Sequence, residues 1–169
     1  MTLDKILVPL DGSDLAEAAL ETAIELLNEQ PTGMLVLLRA AEASTDPIGS
    51  YRTEEQACAV REAKSYLNGV VAGLREAGIG RVKTCVWYGP AATTIVEAAE
   101  VEKASLIVMS SHGRSGAGRL IFGSVAESVL HGTRTPILLV RDTTAPVLPP
   151  LGATTIRLTS DSSVVEASA

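Results

Sequence analysis

The stretch LIVMSSHGRSGAGRLIFGSVAESVL, Leu106–Leu130, decides the fold. It opens on a short, unbroken apolar run. A glycine-bearing segment follows, and then Gly123-Ser124 leads into residues with helical apolar spacing. An apolar run without alternation is the mark of a strand covered on both faces, as in a parallel sheet between layers of helices. A strand, a small-residue loop and a helix in that order make half of a β-α-β unit.

The same pattern recurs on either side. Apolar runs stand at Lys5–Val8, Met34–Leu38, Val82–Trp87 and Ile137–Val140. Val82–Trp87 alternates more than the rest, which predicts a strand nearer an edge. Helical spacing fills the intervals at Asp14–Asn28, Thr53–Ala77, Ala91–Glu102 and Ser124–Leu130. In the first of these, Ala16, Ala19, Leu20, Ala23 and Leu27 share one face, and Asp14 with Glu17 reads as a capping pair. In the second the face is Ala57, Val60, Ala63, Leu67, Val70, Val71 and Leu74, with a stop at Ala77-Gly78. Ile95, Ala98 and Ala99 mark the third, with Pro90 near its first position. Val125 and Val129 mark the fourth. Strands alternating with helices imply right-handed crossovers. The expected fold is α/β, a five-stranded parallel doubly wound (Rossmann-like) sheet with helices on both faces. Such sheets bind ligands beyond the carboxyl ends of their strands, where the strand order reverses. Those ends carry Pro9–Ser13, Arg39–Ser50 and Ser110–Gly123.

Composition narrows the functions. With 169 residues, the chain reads as one domain, and an aromatic content of 3% leaves the core to Val, Leu, Ile and Ala. A net charge of −6 argues against a nucleic-acid partner held by a broad basic face. No stretch has the length of a membrane span, and the start lacks the features of a signal peptide. A cytoplasmic location without membrane contact is the expectation. Cys58 and Cys85 suit neither a disulfide framework nor a metal knuckle, and His112 and His131 form no ligand cluster. After Arg141 the texture turns to Pro, Ser and Thr. Residues 142–169 read as a mobile tail in which TIRLT has the alternation of an edge strand.

The glycine segment is not a GxxxxGK[ST] loop, and its spacing is not GxGxxG. Small residues nonetheless let backbone N–H groups wrap an anion and pass it to a helix N-terminus, here at Gly123-Ser124. Arg114 and Arg119 stand ready to add charge. The same letters also make a plain turn. Ser124-Val-Ala-Glu127 is a capping box, and glycine turns occur without ligands. Both readings stay open on spacing alone. Asp11, at the end of the first strand, has a carboxylate suited to a ribose hydroxyl, and its Asp-Gly sequence also suits a turn. A hydrolase built on His112, its serines and Asp11 lacks a GxSxG elbow.

These residues together resemble the universal stress protein family. The resemblance runs from about Leu3 to Arg141, and residues 1–141 make the domain. It is carried by KILVPLDGSDLAEAAL, DPIGSY, YGPAATTIVEAAE, ASLIVMSSHGRSGAGRLIFGSVAESVL and TPILLVR. ATP-binding members have G-x-x-G-x9-G-[ST]. The match falls on Gly113, Gly123 and Ser124, while the first glycine is replaced by Ser110. The resemblance implies a nucleotide site in which Pro9, Leu10 and Asp11 lie beside base and ribose. Ala40 ends the second strand there, in an Arg39-Ala40 pair where binding members often have His-Val. Ser110, Gly113, Arg114, Gly123, Ser124 and the backbone of Val125 complete the site. It implies ATP with Mg²⁺ or Mn²⁺ bridging the phosphates and a regulatory role in stress responses. Separately, the long Pro- and Gly-containing connection Ala41–Tyr51 is a candidate lid over a bound nucleotide. The resemblance also implies a homodimer through the Ile137–Val140 edge, a surface that apolar character alone marks for pairing. Two alternatives accompany it. One is a dimeric interaction module that binds no nucleotide. The other is a slow ATPase or related hydrolase.

Overall fold

A computed structural model describes residues 3–28, 32–42, 53–111, 123–141, 156–158 and 164–166. The elements alternate as β1 (Lys5–Pro9), α1 (Asp14–Asn28), β2 (Met34–Ala41), α2 (Thr53–Glu76), β3 (Val82–Tyr88), α3 (Ala91–Glu102), β4 (Leu106–Ser110), α4 (Ser124–Gly132) and β5 (Ile137–Val140). The five strands form one sheet in the order β3-β2-β1-β4-β5, and its pairings are all parallel. The chain first steps from β1 to β2 to β3 and then returns past β1 to β4 and β5. Right-handed crossovers made in opposite directions place their helices on opposite faces.

The packing follows that rule. Ile6, Val8, Leu35, Leu37 and Val108 pack on α1 and α2 through Ala16, Ala19, Leu20, Ala23, Leu27, Leu67 and Val71. Leu7, Val36, Leu38, Ile107 and Met109 pack on α3 and α4 through Ile95, Ala98, Ala99, Ala126 and Val129. Successive strand residues thus serve opposite layers, which is why the runs are apolar without alternation. Burying each such side chain stabilises the fold by ~1.5–3 kcal/mol.

The strands at the carboxyl edge outrun their apolar letters. β2 continues through Arg39, Ala40 and Ala41, which pair with Val86, Trp87 and Tyr88 of β3. Pro9 and Ser110 likewise close β1 and β4. Backbone pairing continues there because its donors and acceptors still need partners. β3 is an edge strand, as its alternation predicts, and β5 is the other.

The helix ends correct the sequence reading at several points. The hydroxyl of Ser13 accepts the Ala16 N–H at 3.2 Å, so Ser13, and not the Asp14–Glu17 pair, caps α1. Gly123 is the N-cap of α4 and makes no side-chain cap bond, so the Ser124–Glu127 capping box does not form. Starting α4 at Ser124 turns Ala126 and Val129 inward and leaves Val125 exposed, against the expected Val125–Val129 face. On α2, Ala57 is likewise exposed. The stop at Gly78 holds, with the last helical residue at Glu76, one before the expected Ala77. The N–H groups of Gly78 and Ile79 bond the carbonyls of Arg75 and Leu74 at 3.0 and 2.8 Å, and φ at Gly78 is +85°. Ile156–Leu158 of the TIRLT segment pairs antiparallel with Val164–Glu166 in a ladder separate from the five-stranded sheet, so it is not an edge strand of that sheet.

Candidate functional site

A cleft of about 590 Å³ opens at the carboxyl ends of β1, β2 and β4. It lies where the order reverses around β1, with β2 on one side and β4 on the other. Of the residues singled out in the sequence, Pro9, Leu10, Asp11, Ala40, Ser110, Gly123, Ser124 and Val125 line it together. Gly113, Arg114 and His112 lie outside the described residues, as does most of the expected lid.

All four helices follow a strand and so start at this edge, and the segments opening α1, α3 and α4 border the cleft. At the start of α1, an Asp11 carboxylate oxygen accepts the Ser13 N–H at 3.0 Å and the Ser13 hydroxyl at 2.6 Å. Gly12 between them has φ +78°, a conformation that glycine takes without strain. At the start of α3, the Glu42 carboxylate accepts the Ala91 N–H at 2.6 Å. Both termini therefore receive a negative group from the chain itself, which their dipoles favour. The start of α4 differs. The Gly123 N–H donates to the Ser111 carbonyl at 2.7 Å, bringing the ends of the glycine segment together. No N-cap side chain bonds this helix. The N–H groups of Ser124, Val125 and Ala126 have no intrahelical acceptor by helix geometry, and these residues border the cleft. The arrangement suits a phosphate or other anion.

On the β2 wall the sequence reading assigned Ala40 to the site and left out Arg39, Glu42 and Glu62. Arg39 lines the cleft from β2. Its guanidinium donates to the Leu10 carbonyl at 3.2 Å and lies 4.9 Å from the centre of the Tyr66 ring on α2. Glu42 and Glu62 line the same end. A polar pair following an apolar strand at the binding edge was a usable signal for Arg39 and Glu42. Tyr66 and Glu62 had none, because only packing brings α2 over β2. Among the described residues, no group of three or more His, Cys, Asp or Glu side chains is placed to hold a metal ion.

The amino edge of the sheet holds a different cluster. Glu102, buried at the end of α3, accepts Lys83 Nζ at 2.7 and 2.8 Å, and Lys5 Nζ stands 3.9 Å away. Lys5 Nζ also donates to the Glu102 carbonyl at 2.8 Å. Hydrogen bonding from Lys83 holds the Glu102 carboxyl below the usual glutamate range, and the same bond raises Lys83. Burial pushes the neighbouring Cys85 thiol up, which disfavours its thiolate.

A doubly wound α/β protein with a cleft at its switch point, bordered by a helix N-terminus that has no side-chain bond from its N-cap residue, belongs to a class used widely for phosphorylated ligands. The family follows from comparison. Residues 2–141 match the model of the universal stress protein family, and the chain belongs to that family. Universal stress protein MJ0531 of Methanocaldococcus jannaschii is 32% identical over 146 residues, covering 81% of each chain. Universal stress protein YxiE of Bacillus subtilis is 31% identical, covering 82% of this chain and 99% of its own. The solved structure of MJ0577 superposes with a TM-score of 0.75 at 27% identity, covering 84% of this chain and 98% of that one. A universal stress protein solved in complex with cAMP shares the fold, with a TM-score of 0.56 at 23% identity over 83% of this chain and 98% of its own. No helix among the described residues is long and apolar enough to cross a membrane.

Proposed function

We propose that the chain binds an adenine nucleotide, ATP above all, at the carboxyl edge of its sheet. Occupancy of that site regulates its interactions during stress. The carrying observation is the contrast between helix termini. Carboxylates of the chain serve α1 and α3, while the start of α4 faces the cleft without a side-chain cap. Phosphates sit against Ser124 and Val125, with Gly113 and Arg114 contributing from the glycine segment. Base and ribose lie toward Pro9, Leu10, Asp11 and Ala40. Mg²⁺ or Mn²⁺ bridges the phosphates and needs no dedicated protein cage. A charge-assisted hydrogen bond contributes ~1.5–3 kcal/mol, so several converging donors supply the about −8 kcal/mol of micromolar binding. The complex of a relative with cAMP supports an adenine ligand. The protein works in the cytoplasm as a homodimer through Ile137–Val140, the edge strand β5, where Leu138 is exposed.

Ser110 favours a second reading. It lines the cleft where ATP-binding relatives of this motif have glycine, which suits a dimeric interaction module that binds no nucleotide. Mass spectrometry of small molecules released by denaturing the purified protein separates the two. An adenine nucleotide, with a thermal shift on adding ATP and Mg²⁺, is the expected result. No released nucleotide and a flat response to ATP, ADP, AMP and cAMP would establish the second reading.

A further inference from the structure

The cleft has two ends of opposite character. The α4 end offers backbone N–H groups at Ser124 and Val125. The β2 end is lined by Glu42 and Glu62 and by Arg39, whose guanidinium engages the Leu10 carbonyl and the Tyr66 ring. Adjacent strands lie about 4.8 Å apart, so β2 and β4, on either side of β1, are separated by roughly 10 Å at their ends. That span is comparable with the reach from a nucleotide's phosphate to its base. Carboxylates repel phosphate and accept hydrogen bonds from hydroxyl and amino groups. The polarity therefore orients a nucleotide with its phosphate at α4 and its nucleoside at β2.

Resting on the nucleotide reading above, we propose that Arg39 is the positioning residue for the nucleoside end. Its guanidinium joins three parts of the wall. It belongs to β2, donates to the Leu10 carbonyl at the end of β1, and stacks on Tyr66 of α2. Leu10 immediately precedes Asp11, whose carboxylate shapes the following turn at Ser13. Arg39 thus fixes the turn that presents Asp11, and it sets the position of α2, which brings Glu62 to the cleft. A planar guanidinium makes an in-plane hydrogen bond and a face-on aromatic contact together, and a lysine does not reproduce both. None of these contacts lies at the start of α4. Arg39 therefore governs how well the nucleoside is held and leaves the phosphate end unaffected.

Calorimetric titration with ATP and, separately, with inorganic tripolyphosphate, both with Mg²⁺, tests this in the parent and Arg39→Met. Loss of a charged hydrogen bond and its stacking contact weakens ATP binding about tenfold, while tripolyphosphate binding changes less than about twofold. Equal losses for both ligands show a merely structural role and overturn the assignment. So does an ATP affinity in R39M within about twofold of the parent. Should R39M fail to fold, Arg39→Lys replaces it, with an expected loss of about threefold for ATP alone and the same overturning results. A parent that does not bind ATP refutes the nucleotide reading itself, and the assignment of Arg39 with it. That outcome is distinct from a parent that binds and a variant that binds equally.

Discussion

The two ends of the sheet are built in opposite ways. At the carboxyl edge, small residues and turns bring backbone groups to a cleft, and carboxylates serve the starts of α1 and α3. At the amino edge, long side chains close the structure. Lys5 and Lys83 converge on the buried Glu102 and tie β1, β3 and the end of α3 together. Ser105 adds to this closure, since its hydroxyl accepts the Lys5 N–H at 3.1 Å and donates to the Lys5 carbonyl at 2.8 Å. One end satisfies its polar groups internally, and the other retains helix donors beside a cleft. On the proposed function, binding and stability fall to opposite ends of the same strands, so substitutions at either end should separate them.

The largest expected effect is at the start of α4. Gly123→Val places a branched side chain beside the N–H groups of Ser124 and Val125. Nucleotide affinity should fall more than about 100-fold, with a loss of stability near ~1 kcal/mol from the poorer N-cap. Calorimetry and a thermal melt measure the two quantities, and unchanged ATP affinity would remove the assigned site. At the other end, Glu102→Ala should reverse the pattern. It removes the acceptor of Lys83 and the ion-pair partner of Lys5, whose bond to the Glu102 carbonyl remains, and should cost about 1–2 kcal/mol in denaturant unfolding. Nucleotide affinity should stay within about twofold, because the sheet separates Glu102 from the cleft. A large loss of binding would break the proposed division.

Glu102 also predicts a pH dependence. Its carboxyl titrates below the unfolded value in the fold, because the charged form is bonded to Lys83. Its stabilising contribution is full above the unfolded pKa and is lost as pH falls through the folded one. Thermal melts of the parent from about pH 6 down to about pH 3 should show a falling Tm, and Glu102→Gln should flatten that slope. Parallel slopes would show that other carboxylates dominate acid unfolding. The smallest expected effect belongs to Ser110→Gly. Removing a side chain from the cleft wall should tighten ATP binding by about threefold, and a weakening would show that the Ser110 hydroxyl is a ligand contact.

Much of this was legible because burial on both faces leaves a simple trace. Ile6, Leu7 and Val8 serve opposite layers in turn, so β1 reads as an unbroken apolar run, and β2 and β4 repeat the pattern. The buried face of α1 follows its spacing residue for residue. The errors at the helix starts share one cause. Ser13 or Asp14, and Gly123 or Ser124, are all acceptable cap letters, and only the direction of the arriving chain chooses between them. That choice also decided that Val125 stays exposed and Ala126 is buried.

The sequence by itself determined the alternation of strands and helices, their near boundaries, and the segments at the ends of β1, β2 and β4 that line the cleft. These follow from local periodicity and chain order, which letters carry directly. Tertiary structure alone decided that Arg39 reaches Leu10 and Tyr66, that Glu42 meets Ala91, and that Glu102 collects Lys5 and Lys83. Each contact joins residues far apart in the chain. Its partner is selected by the crossover that lays one element over another, and no local pattern records that choice.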